Sequence, residues 1–210
     1  MVDCEKYSDV YWIGGSPCAG KSTIASMICE KYGFVSYQCD EHYDQHLSRI
    51  DNEKHVMMAK IRDLTWQEIW FRPVEQQIDE TWEFYREEFE MITEDILDLP
   101  KTTMLIVEGA AAIPEKVSTL LSNPRRAVWL VPTPSFQIKH YSQREWVRDI
   151  VNQCTNPEVA FENWMNRDIG FAERIAEQAL EFGLAVMEVD GSQSVLDIMA
   201  RVEKHFELDK

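Results

Sequence analysis

Short apolar runs alternate with longer helical stripes along this chain. Five runs of four to six residues predict strands at 10–13, 34–39, 104–107, 127–131 and 184–189. Most of these runs are almost continuously apolar, as in strands buried on both faces, and a glycine, a proline or an acidic residue follows each one. Because strands that alternate with helices are typical of an α/β fold, we predict a mainly parallel sheet covered by helices.

The helical stripes come in two lengths. A helix at 22–32 ends near Gly33, and a last helix covers 195–206. Two longer stripes, at 74–99 and 157–182, carry apolar residues at every third or fourth position. Together with the segment before it, the first long stripe predicts a helical insert between the second and third strands. Since the sequence has no internal repeat or Gly/Ser linker, we predict a single domain over residues 1–210.

Charge, hydropathy and cysteine content indicate which binding partners and which cellular compartment to expect. The formal net charge is −16, from 37 acidic and 21 basic residues, and such a field repels a phosphate backbone. No apolar run approaches the length of about 18 residues that a membrane span needs, and no signal-peptide pattern is present. The five cysteines show no paired spacing, which favours reduced thiols. We therefore expect a cytoplasmic protein without nucleic-acid or membrane partners; its assembly is open, with a homodimer as one candidate.

A phosphate-binding motif directly follows the first predicted strand. The pattern G-x-x-x-x-G-K-[ST] is matched in full by Gly15, Ser16, Pro17, Cys18, Ala19, Gly20, Lys21 and Ser22. Glycines let backbone N–H groups turn towards an anion, and the helix that follows directs its positive end at the same place. Lys21 would contact the β- and γ-phosphates and Ser22 would bind Mg²⁺. We expect ATP as the nucleotide, because no guanine-reading motif follows the fourth strand.

Two carboxylates follow predicted strands at the carboxyl edge of the sheet. Asp40 comes directly after the second strand, where it could take the proton of an acceptor hydroxyl, hold a Mg²⁺-bound water or cap the next turn. Glu108 ends the third strand behind four apolar residues, so it needs a partner. Mg²⁺, Lys21 or a salt bridge at the sheet edge would each provide one. The candidate metal ligands are therefore Ser22, Asp40 and Glu108.

Arginines and histidines supply further candidates. Arg144 and Arg148 are spaced i, i+4 after the fourth strand, so on one helix face they would clamp phosphate together. Arg72 and Arg86 lie in the insert and could contact an anionic acceptor. His42 and His46 have the same i, i+4 spacing, but no third metal ligand is evident near them.

The order of these elements resembles a known group, the P-loop kinases related to nucleoside-monophosphate kinases, which includes adenylate, shikimate and gluconate kinases. Residues 189–195, Val-Asp-Gly-Ser-Gln-Ser-Val, resemble the loop that lies against the adenine base in these enzymes. The resemblance implies contacts to the nucleotide from Gly191 and Ser192. It also implies a three-layer P-loop NTPase fold, with a five-stranded parallel sheet in the order 2-3-1-4-5 and helices on both faces.

The same resemblance assigns roles to the rest of the chain. It implies that Lys21, Ser22 and Thr23 bind phosphates and Mg²⁺ and that Asp40 faces the acceptor. Residues 45–100 would form an acceptor-binding insert, and residues 135–170 a lid-like region that carries the two arginines. The chain departs from the pattern because no strand ends in the Asp of a Walker B motif, so that Glu108 must stand in for it. The insert matches no known acceptor signature.

We predict an ATP- and Mg²⁺-dependent phosphotransferase that moves the γ-phosphoryl group to a small-molecule acceptor such as a nucleotide or a sugar. Its predicted catalytic residues are Lys21, Asp40, Glu108, Arg144 and Arg148. One alternative is a nucleotide-dependent ATPase, switch or binding module without phosphotransfer. Another is a kinase for a large acceptor, either a protein or a nucleic-acid 5′ end, and the net charge disfavours the nucleic acid.

Overall fold

A single parallel sheet forms the centre of the protein. The computed structural model describes residues 4–100 and 104–208. The strands are hydrogen-bonded in the order β2-β3-β1-β4-β5, which confirms the predicted fold class and strand order. Their bounds are β1 Val10–Gly15, β2 Val35–Gln38, β3 Leu105–Glu108, β4 Ala127–Pro132 and β5 Ala185–Val189.

Helices connect the strands and cover both faces of the sheet. In chain order they are α1 Lys21–Tyr32, α2 Cys39–Ser48, α3 Val56–Arg62, α4 Trp66–Trp70, α5 Val74–Asp98, α6 Pro114–Ser118, α7 Pro134–Ser142, α8 Glu145–Val151, α9 Pro157–Glu181 and α10 Val195–Phe206. Short 3-10 helices lie at Cys4–Tyr7 and Pro124–Arg126. Within the described ranges, no helix is both long and apolar enough to cross a bilayer.

Alternate residues of the strands pack into two separate hydrophobic cores, one on each face of the sheet. Trp12 of β1 packs on one face, where its ring stacks on Phe89 of α5 at 5.6 Å between centroids. The neighbouring Ile13 packs on the opposite face, in a core that includes Ile24 of α1 and Val202 of α10. Successive side chains of a strand point to opposite faces, so an apolar run that is buried on both sides produces two cores.

The helical insert is confirmed, and α5 is its longest member. Its buried residues include Trp82, Phe89, Ile92 and Ile96 of the predicted apolar stripe. A second buried set that the stripe did not predict consists of Gln77, Glu80, Phe84, Glu88 and Met91. The rest of the insert consists of shorter helices, α2 to α4. Because α2 begins at Cys39, directly after β2, Asp40 lies in the first turn of a helix.

The segment after β4 differs from the sequence prediction. Residues 140–150 are not one helix, because α7 ends at Ser142 and α8 begins at Glu145 with Arg144 as its N-cap residue. The expectation that Arg144 and Arg148 share one helix face is therefore wrong. The backbone of Arg144 is extended (φ −85°, ψ 123°), so a helical spacing cannot be counted through it.

Candidate nucleotide and acceptor site

The P-loop has the backbone that its glycines predict. Gly15 has φ +126°, and a Cβ at this position would lie 1.9 Å from the carbonyl oxygen of Leu130. Gly20, directly before α1, has φ +79°. Cys18 also has a positive φ of 68°, which is uncommon for a residue other than glycine. The loop thus bends back sharply before α1, and the N-terminus of α1 faces the space that the loop encloses.

Two distant residues hold the loop from behind. Ser16 is fully buried, and its hydroxyl donates to the backbone oxygen of Asp168 at 3.3 Å. The side-chain amide of Gln137 donates to Ser16 Oγ at 3.0 Å and to the backbone oxygen of Pro17 at 3.3 Å. No motif in the sequence pointed to Gln137 or Asp168. They contribute by fixing the conformation of the loop.

Lys21, Ser22 and Glu108 form the polar centre of the site. Lys21 Nζ donates to the Ser16 carbonyl oxygen at 2.9 Å. Glu108 lies opposite Ile13 in the sheet register and is 3% exposed. Burial raises the pKa of Glu108, whereas the positive charge of Lys21 and the hydrogen bond from Ser22 oppose that rise. Glu108 is thus influenced by both Lys21 and Ser22, and its role as a metal ligand stays a prediction.

The residues around Ser22 suit Mg²⁺. A hydroxyl and a carboxylate are oxygen ligands, which Mg²⁺ prefers, and it commonly takes only one or two ligands from the protein besides water and substrate phosphates. Among the described residues, no group of three or more His, Cys, Asp or Glu could hold a metal ion. Ser22 and Glu108 thus offer the kind of ligand that Mg²⁺ takes alongside nucleotide phosphates.

A cleft of about 660 Å³ opens in front of the P-loop. Seven consecutive P-loop and α1 residues, Pro17 to Thr23, line one wall. Asp40 and Arg144 also line it, and the loop after β5 contributes Gly191. Gln193, from the loop that the resemblance places against the base, lines it as well, as do Tyr85, Phe136 and His140, which the sequence analysis did not single out. Such a volume lies within the range of about 300 to 1,000 Å³ that small-molecule sites occupy.

Five predicted site residues are not among those that line the cleft: Gly15, Ser16, Glu108, Ser192 and Arg148. Gly15 and Ser16 are buried behind the loop. Ser192 instead donates from its hydroxyl to Asp190 Oδ1 at 2.6 Å, within its own turn. Arg148 is exposed on α8, whereas the Arg144 guanidinium lies over the Tyr141 ring at 5.1 Å and faces the cleft. The structure thus brings Arg144 to the P-loop but not Arg148.

A second, smaller cavity of about 140 Å³ lies within the insert. We call it the insert cavity; it is lined by Asp40, Tyr43, Ile61, Ile69, Arg72, Gln77, Thr81, Phe84, Tyr85, Glu88 and Arg167. Asp40 and Tyr85 line both the cleft and the insert cavity. The two spaces are therefore adjacent, with Asp40 and Tyr85 in contact with both.

The arginines of the insert are divided between its inside and its surface. Arg72 lines the insert cavity and forms an ion pair with Glu80. Arg86 instead pairs with Glu83 at 3.0 Å and with Glu115 at 2.7 Å, on the outside of α5. Arg167, which the sequence did not single out for the acceptor, lines the insert cavity from α9.

The two histidines of α2 have different environments. His42 stacks on Tyr37 and contacts the Gln38 carbonyl oxygen through Nδ1 at 3.0 Å. His46 is fully buried, with Nδ1 3.0 Å from Glu88 Oε1 and Nε2 3.0 Å from Asp95 Oδ2. Both ring nitrogens of His46 face carboxylates, so the i, i+4 spacing does not create a metal site.

No protein-family model and no curated protein matches this sequence. Among solved structures, the chain is similar to shikimate kinase from Acinetobacter baumannii in complex with shikimate, with 15% sequence identity and a TM-score of 0.48, over 99% of this chain and 98% of that one. It is also similar to deoxyadenosine kinase from M. mycoides with bound dATP, with 13% identity and a TM-score of 0.44, over 96% of this chain and 99% of that one.

Proposed function

We propose that this protein is an ATP-dependent phosphotransferase for a small-molecule acceptor. The observation that supports it is the junction of the two spaces: Asp40 and Tyr85 line both the P-loop cleft and the insert cavity. A phosphotransferase needs a place for the nucleotide, a place for the acceptor and a polar group where they meet. A nucleotide-dependent switch would have no need of the second space.

The proposed reaction is an in-line transfer. Asp40 accepts the proton of an acceptor hydroxyl, and the hydroxyl oxygen forms a bond to the γ-phosphorus of ATP. The bond between the γ-phosphorus and the bridging oxygen breaks, and ADP leaves with that electron pair. Lys21 and Arg144, which line the cleft, stabilise the developing negative charge.

The remaining groups hold the reactants. Ser22 and Glu108 would hold Mg²⁺, which supplies charge neutralisation at the phosphate oxygens. Gly191 and Gln193, in the loop after β5, and Phe136 of α7 would surround the base. Residues 45–100 would serve as the acceptor-binding insert and residues 135–170 as a lid. Closure of both over the reactants would keep water away from the γ-phosphate.

The test is ADP release from Mg·ATP in the presence of a panel of acceptors: nucleoside monophosphates, nucleosides, sugars, sugar phosphates, hydroxy acids and amino acids with a hydroxyl group. We expect a large rise in ADP release with one class, and no rise with the Lys21→Ala variant. A flat response over the whole panel, with ATP binding measurable by calorimetry, would contradict the proposal and favour a switch.

A further inference from the structure

The insert cavity has two chemically different walls. Arg72 and Arg167 line it as cations, while Glu88 lines it as a buried carboxylate that is 2% exposed. The aromatic side chains of Tyr43 and Phe84 also line it. Such a lining suits a polar molecule that carries an anionic group at one end and a hydrogen-bond donor at the other.

The arginine wall retains unused hydrogen-bonding capacity. Arg72 forms an ion pair with Glu80, and Arg167 forms one with Asp168, with Nε 2.5 Å from Oδ1. Arg167 also donates from Nη1 to Thr81 Oγ1 at 3.0 Å, and its guanidinium lies 5.0 Å from the centre of the Trp70 ring. Each guanidinium has five N–H donors, so these contacts leave donors over. Within the described part of the chain, Arg72 Nε and Gln77 Oε1 are buried without a hydrogen-bond partner. Buried polar atoms are nearly always paired in native proteins, so these two indicate a polar ligand or water in the cavity.

The carboxylate wall is fixed from behind. His46 contacts Glu88 Oε1 through Nδ1 and Asp95 Oδ2 through Nε2, each at 3.0 Å. Both ring nitrogens can donate only when the imidazole is protonated. Arg49 Nη1 and the Tyr37 hydroxyl also donate to Asp95, at 2.5 and 2.9 Å. One oxygen of Glu88 is thus held by a buried network, and the residue still lines the cavity.

The electrostatics of this network agree with its geometry. Burial lowers the pKa of His46, but the hydrogen bonds to Glu88 and Asp95 outweigh burial, so its pKa lies above the ordinary value. Burial raises the pKa of Glu88, and the hydrogen bond from His46 works against that rise. A protonated His46 thus favours the ionised form of Glu88, and the ionised carboxylate is a pure acceptor.

The size of the cavity limits the molecule. Its volume of about 140 Å³ is well below the range of about 300 to 1,000 Å³ that drug-sized ligands occupy. An apolar cavity of about 150 Å³ in another protein holds a benzene ring. The part of the acceptor that this cavity holds is therefore smaller than a nucleoside, and the reacting hydroxyl would face Asp40, which also lines the cleft.

We propose that the acceptor is a small hydroxylated molecule with an anionic group bound by Arg72 and Arg167 and a second hydrogen-bond donor, hydroxyl or ammonium, bound by Glu88. His46 is a positioning residue that acts through Glu88. This inference rests on the proposed function for its reaction, but binding to the cavity can be tested separately.

The test is binding of matched probes to the full chain in the presence of Mg·ADP, by calorimetry. Three probes carry an anion and a second donor: 2,4-dihydroxybutyrate with a hydroxyl, L-homoserine with an ammonium, and glycerol 3-phosphate with a phosphate in place of the carboxylate. 4-Hydroxybutyrate lacks the second donor, and 1,2,4-butanetriol lacks the anion. We expect at least one of the first three to bind at least about tenfold more tightly than both incomplete probes. Equal binding of butanetriol, or no binding by any of the three, would overturn the proposal.

A matched pair of variants tests the arginine wall. Arg167 lies over Trp70, and Arg174, two turns later on the same helix, lies over Trp82 and pairs with Asp79 at 2.8 Å. Arg174 does not line the cavity. We expect Arg167→Gln to weaken binding of the best probe about tenfold or more and Arg174→Gln to leave it unchanged. Equal effects of the two substitutions would show that the arginine wall is not specific.

A double-mutant cycle tests the positioning role of His46. We expect Glu88→Gln and His46→Gln each to weaken the best probe about tenfold, and the double variant to lose no more than either alone, because both act on one contact. The control is His42→Gln on the same helix, with unchanged binding expected. If the double variant instead loses affinity by the product of the two single losses, His46 does not act through Glu88. If His46→Gln fails to fold, the Arg167 and Arg174 pair still tests the cavity.

Failure of this inference is distinguishable from failure of the proposed function. A probe that binds as described while no acceptor in the panel stimulates ADP release supports the cavity assignment and contradicts phosphotransfer. Stimulation by a neutral polyol or a nucleoside, without binding of the three anionic probes, supports phosphotransfer and contradicts the cavity assignment.

Discussion

The P-loop cleft and the insert cavity share Asp40 and Tyr85, yet they are built in different ways. The wall of the cleft next to the phosphates comes from one continuous segment, Pro17 to Thr23, and uses backbone conformation. The insert cavity takes side chains from α2 to α5, from the turn before α5, and from α9. A site made of consecutive residues leaves a motif in the sequence, whereas a site made of scattered side chains leaves none. Substitutions on each side of Asp40 test this division.

The largest effect is expected in the cleft, at Lys21. Loss of a charged donor at the transferring phosphoryl group commonly costs a factor of about 100 to 1,000 in kcat. We expect Lys21→Ala to lower kcat by at least this much and to leave the thermal midpoint nearly unchanged, since the described hydrogen bond of its side chain is to the loop itself. The control is Lys31→Ala, an exposed lysine at the end of α1 that pairs with Glu203. Full turnover in Lys21→Ala would remove the P-loop from the mechanism.

Asp40, at the junction, is expected to separate nucleotide binding from transfer. Loss of a general base commonly costs about 10² to 10⁴ in rate. We expect Asp40→Asn to lower kcat within this range while the Kd of ATP, from calorimetry, stays within about twofold. The matched control is Asp44→Asn, which is exposed one turn later on α2. An unchanged kcat in Asp40→Asn would exclude it as the base.

Replacement of Glu108 is expected to raise the thermal stability of the protein and to lower its turnover. The pKa of Glu108 in the folded state is raised, chiefly by burial, so the folded chain holds this proton more tightly than the unfolded chain. The free energy of unfolding therefore falls as pH rises from the ordinary carboxyl range through the raised pKa. We expect Glu108→Gln to have a higher Tm than the wild type at pH 7, a smaller difference at pH 4, and lower turnover.

The control for Glu108→Gln is Glu188→Gln, an exposed carboxylate on β5. Scanning calorimetry at the two pH values measures the difference. A lower Tm for Glu108→Gln at pH 7 would mean that contacts with Lys21 and Ser22 outweigh the cost of burial.

The smallest expected effect is a difference in kcat/KM between variants of Arg144 and Arg148, which the sequence analysis treated as a pair. Arg144 lines the cleft, and Arg148 lies outside it on α8. We expect Arg144→Ala to lower kcat/KM for ATP about tenfold, as for loss of one charged hydrogen bond, and Arg148→Ala to change it less than twofold. Comparable losses would indicate that α8 moves towards the nucleotide during turnover.

Local patterns predicted most of the fold but fewer of the contacts in the site. The last helix begins at Val195 and ends at Phe206 as its apolar spacing predicts, because its boundaries depend on neighbours within one turn. Arg144 and Arg148 show where an i, i+4 spacing misleads. Arg144 is the N-cap residue of α8, outside the helix, so the spacing does not place the two side chains on one helix face. Gln137 was missed for another reason. It contacts Ser16, 121 residues away, and no pattern within a short window carries that information.

The sequence by itself determined the P-loop, the α/β layering and the presence of carboxylates after the second and third strands. These features depend on residue order, glycine conformation and apolar periodicity, which act over a few residues. Only the tertiary structure decided that Arg167 and Arg72 line one cavity, that His46 is held between Glu88 and Asp95, and that Asp40 lines both the cleft and the insert cavity. Those contacts arise when the insert helices pack against α9, and packing joins residues by shape and burial rather than by distance along the chain.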